Sequence, residues 1–278
     1  MTRPDRIFST DSPKAIKAEA FGYLNAIHYM APHDRGGVGN LCSHASPVCI
    51  DLCLGHYSGQ AAMVHDQERD DNPTRKSRRD KAQRFMRDRA NYLRDMVRAI
   101  DCLIPRAARL GKKLCVRLNG STDVAYEGIR FAIVRNAKGK ALAVTLGGPD
   151  AKNIFEHYPA VQFVDYTKNP RRFARALPLN YHLTFSRSEI NEAAAIDLLG
   201  RGVNVAVVFA GKAKPAEWNG YTVIDGDTHD LRHLDPRAYA ANGMFRGFVV
   251  GLSPKGIKAK KDTRGFIVRD AVALSLAA

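Results

Sequence analysis

The sequence predicts an α/β fold of mainly parallel strands in a full or partial TIM-like barrel, behind a loop-rich N-terminal cap that carries a cysteine cluster. Three observations predict it. Beyond residue 111 short apolar runs recur, each run gives way to small polar residues, and helical patterns separate several of them. Alternation of this kind marks βαβ units with right-handed crossovers and parallel strands. A single domain over 1–278 is expected, divided into the cap (1–65), a basic helical segment (66–111) and the βα units (112–278).

Taken in order, residues 1 to about 60 are broken by Pro32, Gly36, Gly37, Gly39, Pro47, Gly55 and Gly59, which predict loops. From about Asp80 to Leu110 the apolar positions Met86, Leu93, Val97, Ile100 and Ile104 recur at steps of three, four and seven. That spacing predicts one amphipathic helix, and Gly111 ends it. The apolar runs that follow are Leu114 to Leu118, Val161 to Val164, Tyr181 to Phe185, Val203 to Phe209, Tyr221 to Ile224 and Phe248 to Leu252. A helix over Glu189 to Leu199 stops at Gly200.

Ligands of parallel α/β folds sit outside the carboxyl ends of the strands. The polar tails here fall at those ends, so one mouth is expected to gather Asn119, Thr122, Asp123, Asp165, Lys168, Ser186, Arg187, Glu189, Asp225 and Asp227. Among them Asp123, Asp165, Lys168, Arg187, Glu189, Asp225 and Asp227 have the charge for catalysis, while Asn119, Gly120, Thr122 and Ser186 suit cofactor contacts. Helix capping and turn closure are the competing work for any one of these residues.

Cys42, Cys49 and Cys53 lie within twelve residues in LCSHASPVCIDLCLGHY, whereas Cys102 and Cys115 fall in a helix stripe and a strand and are expected in the core. Three thiols in a Gly- and Pro-broken loop can wrap a metal, since thiolates select zinc or iron–sulfur clusters. With three cysteines a [4Fe-4S] cluster keeps one iron without a protein thiolate, open to a cosubstrate. His44 or His56 would instead complete a closed zinc site.

A formal charge of +15, from 43 Lys and Arg against 28 Asp and Glu, makes a polyanion the natural complement. Between Arg69 and Arg98 eleven Lys or Arg stand against five Asp, with Phe85 and Tyr92 interleaved. Arg75, Lys76, Arg78 and Arg79 are candidate phosphate contacts there, and Lys255, Lys258, Lys260 and Lys261, with Arg264, form a second cluster. The N-terminal MTRPDRIFSTDSPK has no apolar run behind its basic residues, and no stretch is long enough to span a membrane, so the cytoplasm is the expected compartment and the cysteines are expected as thiols or metal ligands. Asp225, Asp227, Asp230 and Asp235 crowd into eleven residues with His229 and His233 between them, which suits general acid or base work, a hard cation, or turn formation. If helical, the two histidines share a face.

Taken together, NLCSHASPVCIDLCL, VRLNGSTD, VQFVDYTK, LPLNYHLTFSRSEINEA, RGVNVAVVF, VIDGDTHDLRHLDP and VVGLSPKGIKAKKDTRGFIV resemble the phage and prophage gene product 88 family, in order from about residue 20 to 270. That resemblance implies a phage-like origin and names no reaction. A looser one is to the radical S-adenosylmethionine partial barrels, in which a three-cysteine loop precedes strands ending in small polar motifs. It implies a [4Fe-4S] cluster and S-adenosylmethionine, with VRLNGSTD near the methionyl group. The chain departs from it in cysteine spacing and in a triplet well ahead of the first evident strand.

Three functions follow as expectations. One is a radical S-adenosylmethionine-like enzyme that modifies nucleic acid or a nucleotide. Another is a zinc-stabilised base-exchange enzyme on DNA or tRNA, in which Asp123, Asp165 or Asp225 attacks the sugar. The last is a non-catalytic nucleic-acid-binding protein with structural cysteines.

Overall fold

The computed structural model describes residues 7–57, 72–211, 213–241 and 244–269. Its elements run β1 (Phe8–Ser9), α1 (Pro13–Lys17), β2 (Tyr23–His28), α2 (Pro47–Asp51), α3 (Leu54–Tyr57), α4 (Pro73–Arg87), α5 (Arg89–Arg109), β3 (Lys113–Arg117), β4 (Phe131–Arg135), β5 (Ala141–Leu146), α6 (Ile154–His157) and β6 (Gln162–Thr167). They continue as β7 (Tyr181–Ser186), α7 (Glu192–Gly200), β8 (Val205–Val208), β9 (Glu217–Trp218), β10 (Tyr221–Asp225), β11 (Tyr239–Ala241), β12 (Met244–Arg246), β13 (Val249–Leu252) and α8 (Ile257–Lys261). Nine strands form one sheet in the order β1-β2-β3-β6-β7-β8-β13-β10-β9.

The pairs β2/β3, β3/β6, β7/β8, β8/β13 and β13/β10 are parallel, which bears out the expected βα grammar. The closed barrel is not found. The sheet ends in two-residue antiparallel strands, β1 on β2 and β9 on β10, so it stays open. Short edges of this kind leave little unpaired backbone to template another strand.

The chain divides into two compact units, each described by itself. The first comprises Met1–Ser43, Glu68–Asp165 and Ala176–His182. Its core lies on one face of α5, where Tyr92, Leu93, Met96, Val97, Ile100 and Leu103 are buried at helical spacing. Each such side chain contributes roughly 1.5–3 kcal/mol by leaving water. β2 and β3 register Leu24 against Leu114 and Ala26 against Val116. Phe155 stacks on Tyr181 with ring centroids 3.9 Å apart. The second unit comprises His44–Gln67, Tyr166–Arg175 and Leu183–Ala278. There Phe185, Leu198, Leu199, Val205, Val207, Phe209 and Val249 form the core between α7 and its strands.

Four local expectations need correction. The helix over 80–110 is two helices, because the backbone of Asp88 leaves the helical region (φ −139°, ψ 59°). α4 begins earlier, with Asn72 as N-cap accepting from Thr74 N at 2.8 Å and Pro73 in the first turn. Cys102 is exposed rather than in the core, and Ile104 is 40 % exposed, since both lie off the buried stripe of α5. Within the region expected to be a loop-rich cap, β2 is a buried strand whose partner, β3, lies far along the chain. Gly111 behaves as expected, ending α5 with φ +64°.

Candidate functional site

Polar strand ends occur in both units. In the first, β3 runs into Asn119-Gly-Ser-Thr-Asp, and Asn119 folds that turn. Its Oδ1 accepts from Thr122 Oγ1 (2.9 Å) and Val124 N (2.8 Å), while its backbone N and Nδ2 donate to Asp165 at 2.7 and 3.0 Å. Tyr181 OH also donates to Asp165, at 3.3 Å. Asp165 is 1 % exposed, so the structure gives this carboxylate the work of holding the strand end. Asn119 is an organiser of the turn, and Thr122 is buried beneath it.

Gly120 has a steric reason. A Cβ there would stand 2.6 Å from the carbonyl oxygen of His28 and 2.7 Å from the Tyr29 ring, so only glycine lets this turn approach the end of β2. The next residues tie down the loop that leaves β2. Ser121 Oγ donates to Met30 O at 2.6 Å, Asp123 N to Leu41 O at 2.9 Å, and Cys42 Sγ lies 3.8 Å from Ser121 O. Cys42 thus rests against the loop at the carboxyl end of β3.

At the end of β2, His28 is fully buried. Its Nδ1 is 2.9 Å from Leu118 O and its Nε2 is 2.6 Å from Tyr92 OH. The proton belongs on Nδ1, because a carbonyl can only accept, and Nε2 then accepts from the phenol. Burial, reinforced by the charge of Lys81, holds the imidazole down to about 3, so it stays neutral at physiological pH. Lys81 is itself lowered to about 8 by burial and by the guanidinium of Arg78.

In the second unit Cys49 lies on α2. Ser46 is the N-cap, its Oγ accepting from Cys49 N at 3.1 Å. Glu189, in the loop after β7, accepts from Ser46 Oγ at 2.7 Å and from Val48 N at 3.1 Å. A carboxylate at this helix start satisfies donors that would otherwise lack intrahelical acceptors. Cys53 follows α2, with its N–H on Ile50 O at 3.3 Å. All five cysteines are thiols. Among the described residues no three or more His, Cys, Asp and Glu form a group that could hold a metal ion. Cys42 falls in the first unit and Cys49 and Cys53 in the second, so the expected three-thiol cluster is not found as a group in either.

Lys168 donates to Ser186 Oγ at 2.6 Å and lies 5.2 Å over the Phe266 ring. Arg187 is bound by Glu192 and by the carbonyls of Gly265 and Phe266, which fastens a late segment to the end of β7. At the end of β10, Lys214 bridges Asp225 (2.9 Å) and Asp227 (3.0 Å). Lys214 holds the Asp225 carboxyl down to about 2. Burial works against ionisation of Asp227, but hydrogen bonds from Ser253 and Lys214 keep it below its ordinary value. Two anions permanently ionised beside a lysine are poor proton carriers at neutral pH.

The Asp- and His-rich string after β10 is turn and 3₁₀ helix over Arg232–Leu234, so His229 and His233 do not share an α-helical face. The string instead surrounds the fully buried Arg232, which lies 3.3 Å from Asp235 and 3.1 Å from His229 Nδ1. Burial raises Asp235 to about 6 against the pull of Arg232.

The basic segments divide by exposure. Arg69 lies outside the described residues. Arg75 and Arg78 are on the buried face of α4, at 5 % and 9 % exposed. Lys76 is exposed and paired with Asp80 at 2.7 Å, and Arg79 is half-buried. Lys255 reaches Asp227 at 3.6 Å and Lys258 reaches Asp51 at 3.8 Å, while Lys260 and Lys261 are exposed on α8.

Sequence reasoning missed Lys81, Lys214 and Arg232. The helix that carries Lys81 has arginine on its inward stripe, at 75 and 78 ahead of 82 and 85, where an amphipathic helix carries leucine. Among the described residues no helix is long and apolar enough to cross a membrane. No curated protein and no solved structure matches the chain. The model of the gene product 88 family matches residues 6–270, and the chain belongs to that family.

Proposed function

We propose that this protein is an iron–sulfur enzyme of the radical S-adenosylmethionine type that modifies a nucleic acid or a nucleotide. The observation that carries the reading is where the cysteine loop starts and what anchors it. The loop leaves the carboxyl end of β2, a parallel strand, so the triplet follows a strand of the sheet instead of preceding all of them. Separately, Cys42 rests on Ser121 after β3, and the helix of Cys49 is capped by Glu189 after β7. Both anchors are at the carboxyl ends of strands, where parallel α/β sheets bind ligands.

Cys42, Cys49 and Cys53 are half-buried thiols, the ligand type that such a cluster takes, and the reading assigns the cluster to them although they do not stand together as a metal-holding group. Such a cluster supplies one-electron chemistry to a bound cosubstrate through the iron that has no protein ligand. The chain's own residues do the rest. Glu189 and Ser46 orient α2, Asn119 and Asp165 fix the turn that meets Cys42, and the excess of Lys and Arg draws a polyanionic substrate.

Anaerobic purification tests the reading. A brown protein with about four irons per chain is expected, with the iron lost when any of the three cysteines is changed to alanine. A colourless protein carrying stoichiometric zinc rejects it and favours a structural thiol site.

A further inference from the structure

Residues 255–269 hold six Lys and Arg against one acid, Asp262. They follow the carboxyl end of β13, a parallel strand, and are pinned from several sides. Ala259 of α8 and Ile267 are buried in one cluster with Val48 and Leu52, so α8 packs on α2, the helix that carries Cys49. Val268 N donates to Val208 O at 2.9 Å, Val268 O accepts from Ala210 N at 2.8 Å, and Arg187 grips the carbonyls of Gly265 and Phe266. The acids of this region are already engaged. Asp262 is 5 % exposed and accepts from Arg264 Nε at 2.7 Å. Asp51, on α2, accepts from Arg264 Nη2 at 2.7 Å and lies 3.8 Å from Lys258, while Lys255 lies 3.6 Å from Asp227. Arg269 donates to the carbonyls of Asp262 and Lys260, which leave its charge uncompensated. Lys260 and Lys261 are exposed, and among the described residues neither is paired with a carboxylate.

We infer that Lys260 and Lys261 are the centre of a surface on α8 that takes the sugar–phosphate backbone of a nucleic-acid strand and holds it beside the cysteine helix α2. A polymer, rather than a free nucleotide, is then the substrate of the reading proposed above, on which the purpose of this docking rests. Lysine is a strongly hydrated point charge, and cations held on a rigid scaffold gain affinity for a polyphosphate chain through release of its condensed counter-ions. Other partners fit less well. Lysine is depleted where proteins bind proteins, whereas nucleic-acid interfaces are strongly positive. A helix that lies on a membrane needs a broad apolar face, and the apolar residues of α8 are Ile257, exposed, and Ala259, buried in the cluster with Val48 and Leu52.

The experiment is titration of the full-length chain with a fluorescent single strand of about 20 nucleotides, read by anisotropy over a series of salt concentrations. Salt-dependent binding is expected, weakened at least about tenfold at low salt when Lys260→Glu and Lys261→Glu are combined. In the milder pair Lys260→Ala, Lys261→Ala the slope of log affinity against log salt should flatten by about 1.4, as two phosphate contacts are lost. The control combines Lys138→Glu and Lys140→Glu on the exposed turn between β4 and β5, an equal change of charge, and should stay within a few-fold of wild type. No binding by the wild type, or equal weakening in the two charge-reversed proteins, overturns the surface. Displacement of the strand by polyglutamate as readily as by unlabelled strand also overturns it, in favour of an acidic protein partner. The two readings fail separately. Iron-free protein that binds the strand through these lysines keeps the surface and loses the cluster, and iron-loaded protein that does not bind it keeps the cluster and loses the surface.

Discussion

Ser46 Oγ donates to Glu189 Oε2 at 2.7 Å and accepts from the backbone of Cys49 at 3.1 Å, so one hydroxyl joins the loop after β7 to the helix that carries a candidate cluster thiol. Both lone ends of the contact matter, because Glu189 also takes the Val48 N–H. Five residues of helix are too few to be stable by their own hydrogen bonds, and α2 depends on these caps.

Replacement of Glu189 by alanine therefore leaves Ser46 and Val48 without their acceptor. A loss of about 1–3 kcal/mol is expected from the unsatisfied donors, and Cys49 should become several-fold more reactive toward an alkylating reagent as α2 frays. Timed alkylation followed by mass spectrometry checks this. An unchanged Cys49 rate in a folded Glu189→Ala protein would show that the cap does not hold the helix.

Asp165 is expected to be a stability residue first. Removing its carboxylate in Asp165→Ala strands three donors from Asn119 and Tyr181 in a site that is 1 % exposed. A loss of about 2–4 kcal/mol is expected, read as a lower urea midpoint. Asp165→Ala with wild-type stability but no activity would instead make this carboxylate a reacting group.

The parallel strands were legible because each apolar run is local and ends in turn-forming polar residues, as at Leu114 to Leu118. β2 was not, because four helices, α2 to α5, separate it along the chain from its neighbour β3 and its glycine-broken flanks resemble loop. The start of α4 was hidden for a different reason: Arg75 and Arg78 occupy inward positions, and a search for apolar periodicity passes over buried guanidinium. For the site, residue types at strand ends were readable, but their work was not. Nothing in the string VRLNGSTD says that Asn119 spends its amide on Asp165 forty-six residues away.

Lys214 is expected to control Asp225. In Lys214→Ala the Asp225 carboxyl should climb from about 2 toward its ordinary 3.8, since the lysine is the main cause of its depression. Carboxyl-carbon NMR titration reports this directly. The side chain of Asp225 is 56 % exposed, so little change in stability accompanies the shift. A titration unmoved by Lys214→Ala would mean that the turn hydrogen bonds from Asp227 N and Thr228 hold the anion unaided.

Lys81→Met should stabilise the protein at neutral pH, which is unusual for a polar residue in a helix. The folded amine titrates at about 8 against an ordinary 10.5, with burial the larger cause and Arg78 the second. Between those values the unfolded chain binds more protons than the folded one, so wild-type stability rises with pH through that window and the full penalty remains below pH 8. Groups facing the amine do not blur this. Arg78 keeps its charge throughout, and His28 is neutral over the same range. Methionine fills the space without the charge, and a gain of about 2 kcal/mol at pH 7 is expected after allowance for solvent screening. The gain should shrink above pH 8 and vanish near 10.5, as read from urea midpoints at several pH values.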